Sequence, residues 1–182
     1  MRRMSTTAAE LKAFLEGMRR TLGSSEEPRA TLATNTAVAT LVENQRSEAT
    51  VRGFTLVQDE PPSVLGGGRG PTPTDFLVAA VGFCENVVLA RQAALIGLRI
   101  DELETTVSGT WDRRGLFEID GTDSSFREIT VETRVTTEDT VEKVVEAVTA
   151  THRRCPVHAT LRKATTMIFT LVVNGQPVPG MP

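Results

Sequence analysis

The spacing of apolar residues changes several times along the chain and predicts an alternation of helices and strands. Near the N-terminus, apolar residues recur at helical spacing behind Thr7 and Glu10, which fit a capping box. A stretch rich in Ser and Glu at residues 24–28 is interpreted as a linker. Residues 1–30 are therefore predicted to form a helical extension ahead of one domain at residues 31–182. The apolar stripe of the extension is expected to dock on that domain or on a second subunit.

Five segments carry the alternation or the β-branched residues that are typical of strands. These segments are residues 36–43, 48–60, 105–112, 129–136 and 165–173. The first two flank a short polar turn and are predicted to form a hairpin. Before the last strand, valines spaced at i, i+3, i+4 and i+7 from Val141 to Val148 predict an amphipathic helix. This order of elements is typical of an α+β fold with helices packed against antiparallel-rich sheets.

The longest apolar segment follows a glycine-rich loop, in the sequence GGGRGPTPTDFLVAAVGFC at residues 66–84. The loop lacks the lysine of a Walker phosphate loop and the spaced glycines of a dinucleotide loop, so it is interpreted as a flexible approach to a helix. Thr72 fits the N-cap of that helix, Pro73 its first position and Asp75 its first-turn carboxylate. Arg69 in the loop is a candidate contact for an anion.

The helix that begins at Pro73 is apolar nearly all round, which predicts that it is buried. Its small residues, Gly82 among them, allow another backbone to pack closely. Cys84 comes about three turns into this helix. On composition alone, Cys84 fits a small buried hydrophobic residue better than a reactive thiol.

The second cysteine has a different setting, in THRRCPVHATLRKA at residues 151–164. Pro156 disfavours helix at Cys155, so one helix is expected to end there and a short helix to begin. Cys155 would then lie at a helix N-cap beside Arg153 and Arg154, and these conditions lower the pKa of a thiol. The alternative is that the two arginines only cap the preceding helix.

Zinc ligands are a further possibility around the cysteines. Four residues could supply them: Cys84, His152, Cys155 and His158. No Cys-x-x-Cys pair exists, however, and the expected helix break separates His152 from His158. No metal site is therefore predicted.

Composition excludes several functions. Of 182 residues, 40% are hydrophobic and 24% are charged, which is typical of a globular chain. The net charge of −3, from 20 basic and 23 acidic residues, gives no basic footprint for nucleic acid. The N-terminus has no apolar signal region and no run approaches the ~20 apolar residues of a membrane span, so a cytoplasmic protein without membrane contact is expected. In that compartment a disulfide is more often catalytic than structural.

The pairing of GPTPTDFLVAAVGFC with a distant CPVHATL resembles the OsmC/Ohr family of osmotically induced and organic-hydroperoxide-resistance proteins. That family carries a Pro-x-x-x-Leu helix with a cysteine further along it and a later Cys-Pro helix start. The resemblance covers residues 34–173 and implies an OsmC-like α+β fold, with antiparallel-rich sheets packed around a buried central helix. It also implies an intertwined homodimer with active sites at the subunit interface, and peroxidase chemistry that needs no cofactor.

In peroxidases of that family, the helix cysteine attacks an organic hydroperoxide and the Cys-Pro cysteine resolves it as a disulfide, which a dithiol reductant reopens. Carried over to this sequence, Cys84 is the peroxidatic thiol and Cys155 the resolving thiol, and the two are expected to meet within one subunit. Arg46, in the predicted hairpin turn, matches the place of the arginine that stabilises the thiolate. Arg69 and Phe83 are candidate substrate-binding residues.

One position departs from the peroxidase pattern, in which a glutamate directly after the helix proline holds that arginine. Here Thr74 takes this place, and the carboxylate comes one residue later, at Asp75. At about 100° per residue, Asp75 lies about 180° around the helix from Cys84 and cannot orient an arginine there. Two hypotheses follow: a cysteine peroxidase for organic hydroperoxides, or a non-peroxidase OsmC-like protein that binds a small apolar or electrophilic ligand at the dimer interface.

Overall fold

A computed structural model describes residues 7–24 and 31–163, together with the backbone of residues 171–173 and 176–178. Within these residues the helices are α1 (Ala8–Gly23), α2 (Pro73–Ile96), α3 (Arg113–Leu116), α4 (Val141–Arg154) and α5 (Pro156–Leu161). The strands are β1 (Val38–Glu43), β2 (Arg46–Val51), β3 (Phe54–Gln58), β4 (Glu102–Trp111), β5 (Phe126–Thr136), β6 (Leu171–Val173) and β7 (Gln176–Val178). Short 3₁₀ turns lie at Pro62–Val64 and Ile119–Gly121. Residues 25–28 of the predicted linker and residues 165–170 of the predicted last strand lie outside the described residues. Residues 171–173 of that predicted strand form β6.

The first sheet has the order β1-β2-β3 and is antiparallel throughout. Two strands were expected here, at residues 36–43 and 48–60. The second of these is divided into β2 and β3. Arg52 and Gly53 make the additional turn, with φ angles of 50° and 84° in the left-handed region that glycine favours. The sequence pattern hid this turn because β-prone residues continue on both sides of it and only one of its two residues is a glycine.

The second sheet, formed by the antiparallel pair β4–β5, packs against α2. Alternate residues of β4 are shielded from solvent, as expected of a strand with one covered face. A Cβ on Gly82 would lie 3.4 Å from the Val107 side chain, which is ordinary van der Waals contact, so β4 packs directly on this part of the helix. The buried core joins α2 to α4 and consists of Leu89, Ala93, Leu98 and Ala147. Burial of one such leucine stabilises the fold by about 1.5–3 kcal/mol.

The central helix α2 begins as predicted but is less buried than predicted. Thr72 accepts a hydrogen bond from the Asp75 N–H, and the Asp75 carboxylate accepts one from the Thr72 N–H, which completes a capping box. In the single chain, however, Phe83 is 70% exposed and Val87 is 50% exposed. The expected burial all round α2 is therefore wrong for one chain alone, because the elements packed on the helix leave this face uncovered.

By length and composition α2 could also cross a membrane, since its most apolar window has a mean hydropathy of 1.4 and is only 28% buried. Within the fold, the helix packs against α1, α4, α5 and β4 and buries Glu85 and Gln92. Contacts with this many neighbouring elements are typical of a core helix in a folded domain.

The N-terminal helix α1 has the predicted capping box, with Thr7 and Glu10 exchanging hydrogen bonds. The helix contacts α2, so the extension docks on its own domain. Its apolar stripe is only partly covered, and Phe14 is 60% exposed.

One buried carboxylate holds the glycine-rich loop that leads into α2. Asp59 is 2% exposed. It accepts hydrogen bonds from the backbone N–H groups of Glu60, Gly67 and Arg69. Burial alone raises the pKa of Asp59, but these three hydrogen bonds and the charge of Arg46 outweigh burial and lower the pKa below its ordinary value. The loop is therefore tied down, rather than the flexible approach that its glycines suggested.

We expect Asp59→Asn to destabilise the fold, because an amide N–H replaces one acceptor oxygen and faces a backbone N–H. A carboxyl whose folded pKa lies below its unfolded value of about 3.9 contributes stability above that value. This contribution is lost as the pH falls through the folded pKa. The difference in free energy of unfolding between wild type and Asp59→Asn should be constant near neutral pH and shrink below about pH 4.

Urea unfolding across this pH range measures the difference. Glu146→Gln removes an exposed carboxylate in the middle of α4 and serves as the control, which should follow the wild type at every pH. A difference for Asp59→Asn that persists unchanged into acid would contradict the role of the Asp59 charge.

Candidate active site

The two cysteines meet where α2 passes the junction of α4 and α5. Cys84 lies on α2, and Cys155 is the single residue between α4 and α5. The Cys155 thiol donates a hydrogen bond to Cys84 Sγ across 3.0 Å, although 71 positions separate the two in sequence. Both thiols are free. The structure thus agrees with the expected proximity within one subunit, and a disulfide of about 2.05 Å requires only a short further approach of the sulfur atoms.

The helix break at Pro156 determines where Cys155 lies. Pro156 is the first residue of α5, and Cys155 before it has extended backbone angles of φ −68° and ψ 116°. The Cys155 N–H donates to Thr151 O at 2.9 Å, and Cys155 O accepts from the Ala159 N–H at 3.0 Å. One residue therefore closes α4 and opens α5. Its side chain makes no cap hydrogen bond and is directed at Cys84 instead.

The two thiols differ in exposure and in electrostatic environment. Cys155 is 0% exposed, whereas Cys84 is only partly buried. Burial raises the pKa of Cys155, and its hydrogen bond to Cys84 raises it further, against a smaller opposite effect of the backbone N–H groups of His158 and Val157. The expectation of a lowered pKa at Cys155 is therefore wrong. The N-cap position is correct, but burial outweighs the helix dipole and the neighbouring arginines.

A buried carboxylate directly follows Cys84. Glu85 is 0% exposed, and its Oε1 lies 3.4 Å from His152 Nε2. Its Oε2 lies 3.7 Å from His158 Nε2. Thr133 on β5 donates a hydrogen bond from its hydroxyl to Glu85 Oε1 at 3.4 Å. The carboxylate thus faces two imidazoles and one hydroxyl in the interior.

The two histidines lie three residues before and three residues after Cys155. Their ring centroids are 5.8 Å apart. The expectation that the helix break separates His152 from His158 is therefore wrong, because only Cys155 lies between the end of α4 and the start of α5. Burial lowers the pKa of His158, against the opposite effect of the Glu85 carboxylate.

Sequence reasoning omitted Glu85 from the site, although a signal was present. A glutamate within a helix that is apolar nearly all round is expected to be buried, and buried carboxylates require partners. The chain has only two histidines, and both lie near Cys155. These two signals together could have predicted the contact of the carboxylate with the imidazoles.

The other predicted site residues have different surroundings. Arg46 pairs with Glu48 at 2.8 Å and with Glu43 at 3.6 Å. The exposed side chain of Arg69 lies 4.0 Å from Glu43. Within the described part of the chain, neither arginine forms a hydrogen bond or an ion pair with a cysteine. Phe83 precedes Cys84 on α2 and is the exposed residue noted above.

A groove of about 490 Å³ opens beside the histidines. Its lining includes Val81, Phe126, His152, His158, Leu161 and Arg162. The lining mixes apolar side chains with imidazoles and with charged groups of both signs, among them Glu128, as pockets for small organic molecules can.

The chain is thus an α+β protein that brings together one cysteine on a central apolar helix and one at a Cys-Pro helix start. The profile described as OsmC-like protein matches residues 66–170, more than half of the sequence. The chain therefore belongs to the OsmC-like protein family, as the resemblance of its two motifs predicted. No curated protein matches the sequence.

Solved structures show the same fold. The OsmC-like protein of Mycoplasma pneumoniae has a TM-score of 0.63 and 21% identity, over 71% of this chain and 88% of the other. An organic hydroperoxide resistance protein OsmC of Legionella pneumophila has a TM-score of 0.56 and 15% identity, over 72% and 91%. An organic hydroperoxide resistance protein of Elizabethkingia anophelis, with thiocyanate bound, has a TM-score of 0.57 and 16% identity, over 72% and 90%.

Proposed function

We propose that this protein is a cysteine peroxidase that reduces organic hydroperoxides. The observation that carries the proposal is the 3.0 Å separation between a partly exposed thiol and a fully buried one. Two of the structurally similar proteins are named organic hydroperoxide resistance proteins. A cytoplasmic location, where thiols are kept reduced, suits this chemistry.

The two thiols have different roles because their exposure differs. Cys84 is the one that a peroxide can reach, so it attacks the hydroperoxide as a thiolate. The O–O bond breaks, the alcohol leaves with a proton, and Cys84 becomes a sulfenic acid. Cys155 then attacks the Cys84 sulfur, water leaves, and a Cys84–Cys155 disulfide forms. A dithiol reductant takes up the oxidising equivalents and restores both thiols.

A thiolate at Cys84 is a negative charge on a partly buried sulfur, and a cation on its open side would stabilise it. Arg46 is the residue we assign to this role, supplied by a second copy of the chain. The Nε atom of Arg46 is buried and has no hydrogen-bond partner among the described residues. A partner at the subunit interface would satisfy that donor.

A homodimer is part of the same proposal. The exposed face of α2 carries Phe83 and Val87, and the first sheet exposes Leu41 and Phe54. Among the described elements, β1, β2 and β3 pack closely only on one another, whereas α2 packs on other elements. A large apolar helix face and an apolar sheet face that both lack a partner are typical of an interface between copies.

The alternative is a protein that binds a small apolar or electrophilic ligand without turnover. Two observations favour it: Thr74 replaces the glutamate of the peroxidase pattern, and Arg46 is already paired with Glu43 and Glu48. Such a protein would react once through Cys84 and would not regenerate.

The first test is consumption of an organic hydroperoxide in the presence of a dithiol reductant. We expect wild type to turn over and Cys84→Ser to fall to the uncatalysed rate, because its nucleophile is lost. Cys155→Ser should reduce peroxide once and accumulate a sulfenic acid at Cys84, seen as the mass of one added oxygen atom. A wild type that captures one equivalent and then stops would favour the ligand-binding alternative.

The second test concerns the cation. We expect Arg46→Ala to lower the rate of hydroperoxide reduction by at least about tenfold, since one positioned charge is removed from the reacting sulfur. Arg113→Ala, which changes an exposed arginine outside the site, is the control and should retain the wild-type rate. Equal rates for the two variants would remove Arg46 from the proposal.

The third test concerns the dimer. Light scattering of the 19.7 kDa chain should give twice that mass at micromolar concentration. An obligate interface buries on the order of 2,000 Å² or more and keeps the two copies associated. Phe83→Asp places a charge on the exposed face of α2 and should shift the protein towards monomer. Phe117 is equally exposed, at 69%, but lies outside α2, so Phe117→Asp is the matched control and should remain dimeric. A monomeric wild type at micromolar concentration contradicts the proposal.

A further inference from the structure

We propose that Glu85, His152 and His158 bind a divalent transition-metal ion, with Zn²⁺ the best fit, at a site beside the two thiols. One ligand atom from each of these residues lies within 4.8 Å of the others. One carboxylate and two imidazoles are the ligand set of the zinc sites that keep a fourth position open for water or substrate. The inference does not depend on the peroxidase proposal, because neither thiol is a ligand.

The distances around Glu85 fit coordination better than direct hydrogen bonding. A tetrahedral zinc site with ligands at about 2.0–2.1 Å has neighbouring ligand atoms about 3.3 Å apart. The separations of Glu85 from His152 and His158 are 3.4 and 3.7 Å, longer than the usual hydrogen bond. The two distances involve different carboxylate oxygens, so a carboxylate that binds the ion through one oxygen has to shift slightly, and His152, with 40% of its side chain exposed, has room to rotate.

A second observation is independent of these distances. Glu85 Oε2 and His158 Nε2 are both buried and have no hydrogen-bond partner among the described residues. The two residues are 0% and 7% exposed, and the orphaned atoms face each other across the cluster. A buried carboxylate oxygen without a partner is costly, and a metal ion between it and the imidazole nitrogen would satisfy both atoms.

The surroundings provide access and an open position. His152 and His158 line the groove described above, so an ion can enter from solvent and its fourth ligand can be water or a small molecule. Thr133 donates to the carboxylate from outside the cluster and would hold it in orientation, as the outer partners of metal ligands do.

The decisive experiment uses the full chain without a histidine tag and with Cys84→Ser and Cys155→Ser combined, because free thiols bind zinc by themselves. Zn²⁺ is titrated by competition with a chromophoric chelator, and Co²⁺ is used for the absorption spectrum. We expect one equivalent of metal to bind, a Co²⁺ spectrum without thiolate charge transfer, and a thermal midpoint that rises with metal concentration.

Variants of the ligands complete the test. Glu85→Gln and His158→Asn should bind Zn²⁺ at least about 100-fold more weakly, since loss of an outer partner alone costs about 10- to 100-fold. His152→Asn changes a half-exposed side chain and should show the same loss in a chain whose folding is undisturbed, as circular dichroism can verify. Glu142→Gln on the exposed side of α4 is the matched control and should bind as the parent does.

Two results would overturn the proposal. One is the absence of Zn²⁺ binding in the doubly substituted chain while the chain with both thiols binds it, which would assign the metal to the cysteines. The other is a one-equivalent site that His152→Asn and Glu85→Gln leave unchanged.

Discussion

The site depends on the constraint that one proline imposes on the backbone. Pro156 cannot continue the helix before it, and it disfavours helical angles at Cys155, so α4 and α5 are joined at a single extended residue. A break with no loop turns the chain sharply while its backbone hydrogen bonds remain satisfied through Thr151 and Ala159. As a result, residues three positions before and after the break converge on the same stretch of α2. The thiol and the two imidazoles reach Cys84 and Glu85 through this one turn.

Glu85 is the second constraint, since an ionised carboxylate in the interior is costly unless partners surround it. Successive residues of a helix point about 100° apart, so Cys84 and Glu85 face different sides although they are adjacent. The thiol lies towards the partly exposed side, and the carboxylate lies towards the histidines and Thr133. This division keeps the carboxylate away from the exposed side of Cys84. It also leaves the carboxylate available for a role other than thiol chemistry.

Local sequence predicted those features that local chemistry determines. The capping box at Thr7, the N-cap at Thr72 and the helix break at Pro156 depend on residues a few positions apart, and the structure has all three. Features that depend on tertiary packing were either missed or predicted with the wrong sign. Burial raises the pKa of Cys155 where its N-cap position alone would lower it. The contact between His152 and His158 follows from the angle between two helices, which no spacing pattern specifies. The turn at residues 52–53 was hidden because β-prone residues continue through it.

Two apolar surfaces of the single chain lack a partner among the described elements. The central helix is apolar on a face that no described element covers, and the first sheet exposes apolar residues while packing closely only on itself. Either apolar surface alone could have several explanations. When two copies associate, however, the apolar sheet of one copy can cover the apolar helix face of the other. Such an association would let Arg46, whose Nε has no hydrogen-bond partner among the described residues, approach the exposed part of α2 next to Cys84. In that arrangement, one sheet of the second copy would both place a cation near Cys84 and cover the apolar face of α2. Formation of the dimer would therefore complete the thiol site.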